Sequence, residues 1–310
     1  MKNLFIVFIS ACLLVACGNN QSDLDSNGEP KELVIAYAAT GTGGDSKSPV
    51  NKALTDFKAY LEIKLKKKVK FYITTDYTSV IEAIHSKKAH IAYLSPFSYV
   101  LAAQNKDIKP LVVVGQNQQP TMYYSVIFAS RKSGITSMDQ LKQQSKQLTL
   151  SFSDPASASG HLIPFAYLNS TGINPDSNFK QIVFGGSHIS TVLSVTSNKV
   201  DIGCSTEPTF DVLLKRGTIK ERDFTILWKS DPIVASPICI RNDLNSAFIE
   251  KMKQIYLNIH IDNPAVFKSY IGTFHKNPSE LTYIPIDDSL YNGIRKIANS
   301  VKDVALLKNF

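Results

Sequence analysis

The sequence predicts an α/β fold of two lobes, each a mixed, mainly parallel sheet flanked by helices, with a ligand cleft between them. Three observations lead there. From Glu32 onward, short apolar runs alternate with stretches whose apolar residues recur at helical spacing, the mark of βαβ units. That rhythm occurs twice, in blocks of similar size. Extended segments over 115–123 and 229–237 stand where the chain would pass from one block to the other and back. A single larger α/β domain is the competing reading of the same periodicity.

The elements follow in order. A strand is expected over 33–37, and Leu54, Phe57, Leu61 and Leu65 make 50–65 a helix. A strand over 69–73, a short helix over 80–86, a strand over 91–94 and a helix over 97–104 continue the pattern. Strands over 111–114 and 123–128 close the first block. The second block reads as strand 148–152, helix 162–170 stopping before Gly172, strand 182–184, helix 191–197, strand 200–204 and helix 209–216. Strands over 224–228 and 238–241 follow. Beyond Leu244 the chain reads as helical throughout, over 247–259, 264–271 and 289–300. Loops at the carboxyl ends of parallel strands in both blocks would then face one cleft.

The N-terminus reads differently. Lys2 gives a positive start, and the apolar run over 4–13 has the length of an export-signal core rather than of a membrane-spanning helix. Leu14-Val15-Ala16-Cys17 resembles a bacterial lipobox, in which small residues admit the peptidase and a thiol accepts diacylglycerol and further acyl (palmitate) chains. Residues 1–16 are therefore expected to be a signal peptide and Cys17 the lipidated new N-terminus. Residues 17–30, rich in Gly, Asn, Ser and Asp, read as a flexible tether. The expected lobes are 31–118 with 235–310, and 119–234. No later apolar run approaches membrane-spanning length.

Composition narrows the partners. The net charge of +8 comes from scattered lysines, and the densest cluster, over 64–68, ends a helix where cations suit the dipole. A nucleic-acid surface is not favoured; an anionic small solute is. Cys12 leaves with the signal, so Cys204 and Cys239 remain; an exported location permits a disulfide, and two separate buried thiols fit as well. No CxxC, HExxH or Cys/His cluster occurs, so neither a metal nor a cofactor is expected.

Three segments look like ligand loops. The first, Ser151 to His161, follows a strand, precedes a helix and is dense in hydroxyls, among them Ser157 and Ser159. Unpaired N–H groups and the dipole at a helix start favour an anion, although a serine there can equally serve as a cap. The second, Gly185-Gly186-Ser187-His188, offers a ring N–H to an oxyanion or a simple surface histidine. The third, Thr75 to Ser79, opens a helix with Asp76 as a candidate cap.

In order along the chain, these residues resemble the substrate-binding proteins of phosphonate, phosphite and phosphate-type ABC transporters. Asp76-Tyr77, then Ala89 to Tyr99 with its Ser95-Pro96 turn, is similar to that family's tyrosine loop and "GP-x-x-Y" turn. Tyr123-Tyr124-Ser125 is similar to its "Y-x-S" strand, Asp154 to Gly160 to its "D-P-x-S-x-S-G" loop, and Gly186-Ser187-His188 with Val200-Asp201-Ile202-Gly203 to its "G-S-H … V-D-x-G" pair. The resemblance implies a type II periplasmic-binding-protein-like fold on a lipid-anchored, extracytoplasmic receptor, with a permease and an ATPase as partners. It implies Ser157, Ser159 and the backbone around Ala158 as oxyanion holders, with Tyr77, Tyr124, Ser125 and His188 completing the donors. Departures bear on the ligand: Ser95 replaces a glycine, Ala158 stands where a hydroxyl is usual, and 38–45 is unusually glycine-rich. Either Glu207 or Asp211 could supply an acid to the cleft. The implied ligand is a phosphorus oxyanion; another small solute on the same fold and a sensor without transport are the alternatives. A serine hydrolase would need a G-x-S-x-G elbow, which the sequence lacks.

Overall fold

The computed structural model describes residues 23–38, 49–273, 275 and 277–301. The expected signal segment, Cys17 and the glycine-rich stretch over 39–48 lie outside them. In chain order the first block runs β1 (Leu33–Ala38), α1 (Pro49–Leu65), β2 (Val69–Thr74), α2 (Tyr77–His85), β3 (Ile91–Tyr93), α3 (Pro96–Ala102) and β4 (Ile108–Gln116). Short strands β5 (Gln119–Pro120) and β6 (Met122–Tyr123) follow. The second block is β7 (Ser125–Ser130), α4 (Met138–Gln144), β8 (Thr149–Phe152), α5 (Ile163–Ser170), α6 (Pro175–Asn178), β9 (Gln181–Phe184), α7 (His188–Thr196), β10 (Ile202–Thr206), α8 (Glu207–Lys215) and β11 (Phe224–Lys229). The chain returns through β12 (Ile233–Val234) and β13 (Pro237–Arg241), then α9 (Ser246–Asp262), α10 (Pro264–Ile271), β14 (Thr282–Pro285) and α11 (Asn292–Ser300).

Two main sheets result. The first has the order β14-β4-β13-β3-β1-β2 with β5 beside β4, and the second the order β11-β7-β10-β8-β9. Both are mixed. Parallel pairing is confined to β1 with β2 and β3 and to β8 with β9 and β10; the neighbours of β4 and β7 are antiparallel. Antiparallel pairing thus takes a larger share than the βα rhythm suggests, because β13 and β14 reach the first sheet from the far end of the chain. Between the sheets, β6 and β12 pair as a two-stranded ribbon.

Three local expectations are corrected. The strand foreseen over 123–128 is broken at Tyr124, so that β6 joins the ribbon and β7 the second sheet. The tail after Leu244 is not all helix: Thr282–Pro285 forms β14 and covers the free edge of β4, a pairing set by residues far away in sequence. The tether is ordered over 23–30. Asp23 contacts the Arg241 guanidinium and lies 3.2 Å from His90 Nε2, while Lys67 Nζ pairs with Asp25 at 2.9 Å and Glu29 at 3.1 Å. Ionic anchors replace the apolar burial that this stretch lacks, with Leu24 packed against the core.

A large apolar core joins the lobes, running from Val80, Ile81 and Phe97 to Phe152, Leu162 and Phe165. A second core lies between the first sheet and α1, α9 and α10, centred on Phe57, Leu61, Met252 and Phe267. Cys204 in β10 and Cys239 in β13 are free, buried thiols in different sheets, which settles the question left open by their spacing.

Candidate functional site

Strands of both sheets deliver their carboxyl ends to one cavity of about 220 Å³. Helix starts line it. Tyr77 is the first residue of α2, whose cap is Asp76, with Oδ1 accepting from Ser79 N–H at 2.7 Å. Ser157 caps a single π-turn (Ala158–Leu162) that runs directly into α5; its Oγ accepts from Gly160 N–H at 2.9 Å, and its carbonyl accepts from Leu162 N–H at 3.0 Å. His188 opens α7 behind the cap Ser187, and Thr206 precedes α8. Four helix N-termini therefore converge on one space, each the positive end of a dipole of roughly half a unit charge. Such a space favours an anion without a paired cation.

Side chains add neutral donors. Tyr77, Ser157, Ser159 and His188 all line the cavity, and each is buried. Burial pushes the Tyr77 phenol well above its usual range, reinforced by Tyr93, Tyr123 and Asp154, so it stays protonated and able to donate. Burial also lowers His188 to about 4, so its ring is neutral at pH 7. Its Nδ1 lies 3.2 Å from Ser205 Oγ and its Nε2 3.4 Å from Ser157 Oγ. In the tautomer whose Nδ1 accepts from Ser205, Nε2 carries the hydrogen and faces the serine loop.

Tyr124, Ser125 and Ala158 are not brought to the cavity wall. The Tyr124 ring lies under Lys229, whose Nζ sits 3.8 Å from the ring centroid. Ser125 is fully buried and donates to the Ser159 carbonyl at 2.6 Å, so it braces the serine loop. Ala158 packs its methyl into the core. Neither acid candidate reaches the wall: Glu207 pairs with Lys229 at 2.9 Å, and Asp211 is not among the lining residues.

Sequence reasoning overlooked several lining residues. Tyr123 takes the place expected of Tyr124, because the break after β6 shifts the alternation by one; it hydrogen-bonds Ser159. Tyr93, at the carboxyl end of β3, hydrogen-bonds Ser236. Its position at the end of a parallel strand was the available signal; Ser236 carried none.

The lobes also bond each other beside the cavity. Ser95 Oγ donates to the Ala156 carbonyl at 2.9 Å and so spans the lobes. Asp154 accepts from Tyr77 N–H at 3.1 Å and from Ala156 N–H at 2.7 Å. Its burial raises the carboxyl to about 6, those two N–H bonds opposing and Asp76 assisting.

Comparison with known proteins bears on this arrangement. A family model described as the periplasmic substrate-binding protein of a phosphonate ABC transporter matches residues 45–291. The phosphonates-binding periplasmic protein of Escherichia coli is 25% identical over 233 residues, covering 75% of this chain and 68% of that protein. The phosphate-import protein PhnD of Mycolicibacterium smegmatis is 24% identical over 307 residues, covering 93% and 92%. The structure of PhnD1 from Prochlorococcus marinus in complex with methylphosphonate superposes with a TM-score of 0.73 at 20% identity, covering 88% of this chain and 98% of that one.

Proposed function

The chain belongs to the family of periplasmic substrate-binding proteins of phosphonate ABC transporters, and from that premise we propose that it binds a phosphonate, phosphite or related phosphorus oxyanion and delivers it to its permease and ATPase. One observation carries this reading: four helix N-termini and a set of neutral hydroxyl and imidazole donors meet at a single cavity. Directional donors of that kind can replace the hydration shell of a tetrahedral anion. Tyr77, Ser157, Ser159 and His188 are the proposed direct donors, and Ser125 and Ala158 hold the loop that carries the two serines. Lobes at 31–118 with 235–310, and at 119–234, would close by hinge motion about the paired β6 and β12, with ligand favouring the closed form. Binding and release then need no covalent step.

A thermal-shift screen tests the reading. Phosphate, phosphite, methylphosphonate or 2-aminoethylphosphonate is expected to raise the melting temperature by mass action, with sulfate and sulfonates as controls. A response to sulfate or a sulfonate alone would overturn it. His188→Ala and Ser157→Ala are each expected to weaken binding by about 1–3 kcal/mol, measured by titration calorimetry. Lower stability with unchanged affinity would reduce Ser157 to a helix cap and His188 to a packing residue.

We also propose that Cys17 carries the lipid anchor after removal of residues 1–16. The lipobox-like Leu14-Val15-Ala16-Cys17 supports this. Cys17→Ser is expected to move the protein from the membrane fraction to the aqueous one on detergent partitioning. Retention in the membrane fraction by the variant would refute the anchor.

A further inference from the structure

The cavity does not end at the oxyanion donors. Thr209, Val212 and Arg216 all line it, at positions i, i+3 and i+7 of one helical face running the length of α8 to its C-cap. At the helical rise, Thr209 and Arg216 stand about 10 Å apart along the axis. Lining residues therefore run along α8 from its start, beside the hydroxyl donors, to a second pole of the wall at its end. Val212 lies between Thr209 and Arg216 on that face, and Val114, Met122 and Ile189 are further apolar residues of the lining. The volume of about 220 Å³ leaves room for more than one water-sized group.

Arg216 is the single formally charged side chain among the described residues that line the cavity. Its backbone N–H bonds the Val212 carbonyl, and its guanidinium is exposed, with no ion pair among the described residues. An Arg at this place also suits the negative end of the α8 dipole, so capping alone would account for a cation here. Capping does not account for Thr209, Val212 and Arg216 all facing the cavity along one side of α8.

Building on the phosphorus-oxyanion reading above, we propose that this second pole selects ligands whose organic substituent ends in a negative charge. The chemical class is a phosphonate joined by a short alkyl spacer to a carboxylate. The phosphorus oxygens occupy the hydroxyl pole, the methylenes lie along Val212 and Met122, and the carboxylate meets the Arg216 fork.

The test measures affinities of methylphosphonate, n-propylphosphonate, 3-aminopropylphosphonate and 3-phosphonopropionate by titration calorimetry. For the wild-type protein, 3-phosphonopropionate is expected to bind about fivefold more tightly than n-propylphosphonate, the scale of an exposed ion pair. The aminopropyl compound is expected to bind most weakly of the three long ligands. In Arg216→Gln the ratio of 3-phosphonopropionate to n-propylphosphonate affinity is expected to fall to about one, and in wild type it should shrink with added salt. Equal affinities in wild type, a preference for the amine, or a carboxylate preference that survives Arg216→Gln would each overturn the proposal while methylphosphonate still binds. Failure of every phosphonate to bind would instead overturn the oxyanion reading on which it rests. A lower melting temperature in Arg216→Gln with the ratio intact would assign Arg216 to capping alone.

Discussion

Gly160→Ala is expected to lower solute affinity at least tenfold and to cost about 1–3 kcal/mol of stability, the range for overpacking a dense core. A Cβ at this position would stand 2.5 Å from Ser153 Cβ, 2.8 Å from Ser153 Oγ and 2.9 Å from His188 Cε1. Ser153 cannot swing away: it is fully buried, its Oγ donates to the Cys204 carbonyl at 2.8 Å, and its N–H donates to the Gly160 carbonyl at 3.0 Å. The strain must pass to His188 or to the turn that Ser157 caps, and both line the cavity. The glycine is thus required by close approach. Calorimetric titration with the ligand found in the screen, together with a melting curve, checks the expectation. Wild-type affinity in the alanine variant would remove the serine loop from the binding site.

Arg241→Leu is expected to destabilise the protein by about 2–3 kcal/mol, below the 3–5 kcal/mol range for breaking a fully buried pair. Arg241 is 2% exposed, and its Nε and Nη2 each hold Asp243 at 2.8 Å while Nη1 bonds Asp23 and the Lys87 carbonyl. The reduction reflects its acids, whose side chains are 39% and 31% exposed and can recover water when the guanidinium is gone. A pH signature should accompany the loss. Burial, then the charge of Arg241, lowers His90 to about 4, against the opposing pull of Asp23. A depressed histidine contributes stability that is present above its ordinary value of 6.5 and is lost as pH falls through about 4. In Arg241→Leu, His90 regains affinity for the proton, so its share of the acid loss should shrink. Melting temperatures between pH 7 and pH 4 measure both effects. An unchanged melting temperature at pH 7 would show that the ordered segment over 23–30 adds nothing through this pair.

Much of this was legible in the sequence because the determining information is local. Asp76 and the serines of 151–161 mark helix starts, and apolar runs mark the buried strands. The helices expected over 80–86 and 191–197 in fact begin three residues earlier, at Tyr77 and His188, whose proposed roles come from the family resemblance. What escaped depends on distant partners. β14 exists because β4 offers it an edge, and nothing within Thr282–Pro285 announces that edge. The exchange of Tyr123 for Tyr124 arises because the strand breaks between them and restarts in another sheet, which alternation alone cannot reveal. Ser125 carries the hydroxyl expected of a ligand donor, yet the Ser159 carbonyl claims it. The order of residues 23–30 depends on charges contributed from elsewhere on the first lobe, not on their own composition.

The C-terminal helix has a mechanical consequence. α11 packs on α3 of the first lobe and on α5 of the second, with Tyr291, Ile294 and Ala298 in the core that both share. If the lobes turn on β6 and β12 as proposed, this third contact off the hinge axis must slide or part. Under the proposed function, solute release would then depend on the slip of this apolar joint as well as on the proposed donors. Residues that never touch the solute can in this way set how long it stays.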